Sequence, residues 1–126
     1  MRIWVVVAVG GMLGAVARYA VTRLLLRLGV VPAIFPWATL VVNLVGSFVM
    51  GYLWGRRFVH PFSEAWHAFF LIGILGGFTT FSAYALEGLL MMVEGKWGLM
   101  LLYMGGSPVL GMVLVAAGFG LGKMMG

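Results

Sequence analysis

No cysteine occurs anywhere in this 126-residue chain. Disulfides and thiolate metal sites are therefore excluded, and cysteine usage says nothing about the redox compartment. Charge is nearly as scarce: eight Lys or Arg and three Asp or Glu make up 9% of the residues. So few charged groups cannot cover the surface of a soluble domain. The basic residues are scattered and form no stripe, which argues against a nucleic-acid face and suits loop anchors and membrane topology. No nucleophile stands with a base, no set of side chains has metal-ligand spacing, and no nucleotide-binding motif occurs. His60 and His67 read as interfacial residues rather than ligands. Enzymatic chemistry is not expected.

What the chain has in abundance is hydrocarbon. Hydrophobic residues make up 63% of it and the mean hydropathy is +1.13, the profile of an integral membrane protein. The start, MRIWVVVAVGGMLGAVARYA, has the outline of a signal peptide, but its apolar pattern continues past Arg18 to Leu28 and is expected to remain as a span. Crossing the hydrocarbon core takes about 20 apolar residues. Four segments qualify: about 3–28, 37–54 (entered through Pro32 and Pro36), 66–93 and 97–121. Trp4, Trp37, Trp54, Trp66 and Trp97 fall near their ends, where an amphipathic ring prefers to lie. The reading is an all-α membrane protein of four transmembrane helices, one membrane domain over 1–126.

Twenty glycines include the pairs Gly10/Gly14, Gly51/Gly55, Gly73/Gly77 and Gly118/Gly122, spaced to let helix backbones approach closely, within a subunit and between subunits. Orientation is nearly undecided by charge. One side of the membrane receives Arg2, Arg56, Arg57 and Lys123; the other receives Arg23, Arg27 and Lys96, with Arg18 if it snorkels there. The positive-inside rule favours neither orientation when charge is so evenly divided. Insertion both ways up, as an antiparallel homodimer, follows as an expectation.

Polar groups at membrane depth cost free energy unless they meet a partner or a water-filled path. Arg18, about two-thirds along the first span, costs about 2.5–3.5 kcal/mol on insertion scales, and either snorkels or forms an electropositive vestibule. Thr39, Asn43 and Ser47 lie one turn apart on a single face of the second span, a stripe of donors. The third span carries GGFTTFSAYALE over 76–87, where Gly76–Gly77 and the β-branched Thr79–Thr80 predict a break near 76–80. Carbonyls exposed at such a break can hold a cation. Phe81 and Tyr84 share a face beyond it, as packing or as a lining. Glu87 is open between pairing with Arg18, capping a network and lying at the interface. Tyr103 and Ser107 are one turn apart on the fourth span, and Pro108 removes a backbone donor there.

GGMLGAVARY, ATLVVNLVGSFVMG and GILGGFTTFSAYALE, in this order and in these spans, closely resemble the Fluc fluoride channels, also called the CrcB family. The resemblance covers the whole chain. It implies an antiparallel, dual-topology homodimer in the bacterial inner membrane, with two antiparallel pores passing fluoride passively and selectively out of the cytoplasm. It also implies a structural sodium ion at the dimer centre. Residue by residue, Asn43 matches the asparagine that hydrogen-bonds the anion and Phe81 the first ring of a phenylalanine pair. Tyr84 and Ala83 depart from the usual phenylalanine and threonine. Gly76 and Thr79 match the carbonyls that hold sodium; Ser82, Tyr103 and Ser107 match pathway hydroxyls, and Arg18 matches an arginine near the pore mouth; Thr39, on one face with Asn43, is counted on the ion path by that spacing. The alternative is a small multidrug-resistance-type exporter, also four spans and often dual-topology. That design wants a carboxylate in the first span, which has none. A non-transporting membrane subunit is the third reading.

Overall fold

A computed structural model of the chain describes residues 2–30 and 35–125; the expected approach to the second span through Pro32 lies outside them. Among the described residues every regular element is a helix. Helix α1 is Arg2–Arg27 and α2 is Trp37–Val59. The third span is assembled in series from α3 (Glu64–His67), a π-helical stretch (Ala68–Ile74), α4 (Leu75–Phe78) and α5 (Phe81–Val93). Helix α6, Trp97–Met124, forms the fourth. All four spans are long and apolar enough to cross a bilayer, and most large apolar side chains point outward, as lipid requires. The chain is a multi-pass membrane protein.

Two boundaries differ from the hydropathy reading for one reason. Helix α2 runs past Trp54 to Val59 and α6 past Leu121 to Met124. Hydropathy stops where charge begins, whereas the helices continue into the interfacial zone, carrying Arg56, Arg57 and Lys123 on their last turns. Two turns are closed by glycine. Gly29 and Gly95 take φ of 84° and 77° just past α1 and α5. Val30 N–H then reaches Leu25 C=O and Lys96 N–H reaches Met91 C=O, the Schellman pattern that satisfies terminal carbonyls.

The four glycine pairs form two seams inside one chain. Gly10 and Gly14 of α1 face Gly73 and Gly77 of the third span; a methyl group on Gly10 would lie 2.5 Å from Phe69 O, and one on Gly77 2.5 Å from Gly11 O. Gly51 and Gly55 of α2 meet Gly118 and Gly122 of α6 backbone to backbone in the same way. Without side chains between them, the helices gain dispersion contact that lipid cannot supply. The fold is thus two tight pairs, α1 with the first half of the third span and α2 with α6. The α5 half packs more loosely, against α6 and α2.

Gly76 and Gly77 lie inside α4. The extended residues are the next two, Thr79 (φ −83°, ψ 156°) and Thr80 (φ −145°, ψ 124°). Gly77 is retained in helix because its missing side chain lets α1 approach. Threonine suits the extended backbone, and Thr80 Oγ1 then accepts from Ala83 N–H at 3.2 Å, capping α5.

Candidate functional site

The two extended residues are clasped by α2. Asn43 Nδ2 donates to Thr80 O at 3.0 Å, and Thr80 N–H donates to Asn43 Oδ1 at 2.8 Å. One carboxamide thereby satisfies both backbone groups of Thr80, in place of the helical partners it lost. Nδ2 carries two hydrogens, so one N–H of Asn43 is not used in the clasp.

That clasp shifts the backbone count on the third span. In a continuous helix the carbonyls of Gly76 and Thr79 would accept from the amides of Thr80 and Ala83. Both amides go to side-chain oxygens instead, those of Asn43 and Thr80. Gly77 O, a neighbour in the same run, accepts from Arg18 Nε at 3.2 Å. Arg18 is therefore neither paired with Glu87 nor counted on one membrane side; its head group reaches the opened backbone.

Two grooves meet at Asn43. One, about 780 Å³, runs along α2 and α6 and is lined by Asn43, Ser47, Tyr84, Ser107, Pro108 and Gly111, with apolar residues beyond. The other, about 310 Å³, is lined by Asn43, Ser47, Thr79, Thr80, Phe81 and Tyr84 among others. Asn43, Ser47, Tyr84 and Val115 belong to both. Ser47 Oγ donates back to Asn43 O at 2.7 Å, bracing the turn that presents the carboxamide. Among the described residues Ser107 Oγ is buried without a hydrogen-bond partner, so the larger groove contains a hydroxyl whose donor is not used by them.

The aromatic residues divide. Phe81 is 79% exposed beside the break, with its ring centroid 5.9 Å from that of Tyr84. Tyr84 is buried, lies tilted at 59° with its ring centroid 5.2 Å from that of Tyr103, and donates its hydroxyl to Met104 O of α6. Tyr103 and Thr39 are separate from the grooves. Tyr103 is 2% exposed and donates to Glu87 Oε1 at 3.1 Å; Thr39 Oγ1 donates to Glu87 Oε2 at 2.8 Å. Glu87 thus caps a network of two hydroxyls. A smaller cavity of about 140 Å³ touches Thr39 and Glu87 from the α1–α2 end. Ser82 is exposed, its hydroxyl 3.4 Å from that of Thr80, and does not line the two grooves.

The structure therefore brings together Asn43, Phe81, Tyr84, Ser107 and Thr79, with Gly76 just before the break. It holds Thr39 and Tyr103 in a second polar cluster and Arg18 and Ser82 at the edges. Sequence reasoning missed Thr80, which supplies both clasp atoms and the cap, and the carbonyl of Met104. A signal existed for each: threonine three residues before an N-terminal amide is a capping pattern, and Met104 is four residues before Pro108. Among the described residues no group of His, Asp or Glu could hold a metal, so backbone carbonyls are the available cation ligands.

Comparison with known proteins gives a consistent result. Residues 5–119 match the family model described as CrcB-like protein, Camphor Resistance (CrcB). The chain is 46% identical over 114 residues to a protein named fluoride-specific ion channel FluC from Salinibacter ruber, covering 90% of this chain and 84% of that one. It is 44% identical over 123 residues to the FluC of Magnetococcus marinus (94% and 96% covered) and 40% identical over 122 residues to that of Thermus thermophilus (97% and 96% covered).

Proposed function

The chain belongs to the CrcB family, a family of ion channels and not of enzymes, and from that premise we propose that it is a fluoride-selective passive channel. The observation that carries this reading is the groove in which an unspent hydroxyl, Ser107 Oγ, shares an apolar wall with the spare N–H of Asn43. Fluoride is small and tightly hydrated, so a path must replace water with well-placed donors. Phe81 and Tyr84 line the second groove, where their ring edges would add positive quadrupole. Fluoride would pass from groove to groove across Asn43, releasing water stepwise to N–H, O–H and ring-edge donors. Too few charges line the path to bind it tightly, which favours release.

The break also suits a structural sodium ion. The carbonyls of Gly76 and Thr79 have lost their helical donors to side chains, and oxygen is the ligand a hard cation takes. Gly76 and Thr79 would hold it. Its positive charge would offset the carbonyl end of α4, while the α5 N-terminus favours an anion.

Two copies in antiparallel orientation, with two pores, complete the reading. Phe81 and Ser82 are bare in a single subunit at the very place where a lining is needed. With Arg18 held on Gly77 O, basic residues divide four to three: Arg2, Arg56, Arg57 and Lys123 against Arg23, Arg27 and Lys96. That balance lets the chain insert both ways up. Direction then follows from chemistry: hydrogen fluoride enters as a neutral weak acid, ionises in a more alkaline cytoplasm, and fluoride leaves down its gradient. The exporter alternative has lost its footing, since the first span lacks a carboxylate and Glu87 is engaged by two hydroxyls.

Purified protein in liposomes, followed with a fluoride electrode, tests the reading. Fluoride efflux should exceed chloride efflux by orders of magnitude without a proton gradient. Equal fluxes, or flux that needs a proton gradient, would contradict it.

A further inference from the structure

Residue 108 is proline within a helix that runs from Trp97 to Met124. Proline has no N–H, so the carbonyl four residues earlier, that of Met104, loses its helical donor. The hydroxyl of Tyr84, from another span, donates to that same carbonyl. Met104 is also three residues before Ser107, a distance at which serine hydroxyls commonly bond back to the helix. Ser107 Oγ makes no such bond; it is buried in the groove wall with no partner among the described residues.

These facts fit one arrangement, which rests on the fluoride-channel reading above. We propose that Tyr84 is a positioning residue for Ser107: by taking the carbonyl that Pro108 orphans, it keeps the Ser107 hydroxyl free to donate to the permeating anion. Two effects follow from one hydrogen bond. The phenol oxygen is withdrawn from the path, leaving only the Tyr84 ring edge beside Phe81. And Ser107 faces an acceptor that is already served, so its O–H is kept for fluoride. Tyrosine at 84 and proline at 108 then form a matched pair, each making sense of the other.

Removing the hydroxyl leaves the Met104 carbonyl bare, and Ser107, three residues on, is the serine whose hydroxyl can turn back to it. Tyr84→Phe is expected to lower fluoride efflux from liposomes about tenfold, the scale of one hydrogen bond. Adding Pro108→Ala restores an N–H to the helix at that point. The Tyr84→Phe/Pro108→Ala protein should recover to within about twofold of Pro108→Ala alone. Ser107→Ala should lower efflux in the native background but cost little more once Tyr84 is Phe. A merely structural tyrosine would show neither the rescue nor this non-additivity. Full efflux in Tyr84→Phe, losses that add, or absence of rescue would overturn the proposal. If the native protein passes no fluoride, the channel reading falls and this proposal with it; a native fluoride current with uncoupled variants removes this proposal alone. A measurement on the native protein covers the case of an unstable variant. Labelling with carbonyl-13C methionine and 15N glycine selects three Met–Gly pairs, at 50–51, 104–105 and 125–126, and the Met104 signal is the one lost in a Met104→Leu protein. It should fall among hydrogen-bonded helical carbonyls, and a position among unpaired carbonyls would overturn the assignment.

Discussion

The third and fourth spans each interrupt their own helical hydrogen bonding, and they finish the interruption differently. At Pro108 one carbonyl is orphaned, and a side chain from a neighbouring span seals it. At Thr79–Thr80 the side chains do the reverse. Asn43 and Thr80 take amides, so the carbonyls of Gly76 and Thr79 lose their helical donors rather than gaining new ones. An open backbone at membrane depth is tolerated only where something satisfies it. A sealed gap leaves the backbone no room for a ligand; a gap held open by side chains calls for one.

Breaking the clasp should have the largest effect. Asn43→Ala leaves Thr80 N–H and C=O without their partner and strips the groove of its N–H donor. Fluoride flux is expected to fall about 100-fold, the scale of two unsatisfied polar groups, with the subunits still assembled on gel filtration. Native flux would remove Asn43 from the path. The open gap is probed next through its cation. At about 100 times its dissociation constant, sodium should stabilise the protein by about 2.7 kcal/mol, read as a thermal midpoint that rises with sodium and not with N-methylglucamine. A midpoint indifferent to the cation would contradict the assignment to Gly76 and Thr79.

Two smaller substitutions separate packing from the break. Gly10→Val drives a side chain into Phe69 O across the first glycine seam and should cost about 1–3 kcal/mol of stability, leaving the fluoride-over-chloride ratio of the surviving protein unchanged. A changed ratio would mean that the seam, not only the break, shapes the path. Thr80→Val keeps a β-branched residue in extended backbone but removes the cap on α5, at about 1 kcal/mol in thermal unfolding. No loss of stability would show that the cap is dispensable beside the Asn43 clasp.

Much of this was legible in the sequence because membranes impose few alternatives. Hydropathy located the spans, and the spacing of Gly10/Gly14, Gly73/Gly77, Gly51/Gly55 and Gly118/Gly122 marked the surfaces that meet. The stripe Thr39–Asn43–Ser47 was visible at helical spacing, but not that its members part company, Thr39 to Glu87 and Asn43 to Thr80. That division depends on which span lies opposite each turn, and local pattern carries no such information. Gly76–Gly77 suggested a weak helix, yet both stay helical, Gly77 packed against α1, and the extension falls on the threonines. The π-helical stretch Ala68–Ile74 has no marker in its apolar composition. Tyr84 stood out only as an unusual residue; its reason lies in Pro108, a span away.

The most direct test of the central claim is the reversal potential of a planar bilayer containing the protein, with fluoride concentrated on one side and chloride on the other. The expected potential lies near the Nernst value for fluoride, unmoved by a change in chloride or in pH gradient. A potential that follows chloride or the proton gradient would contradict it.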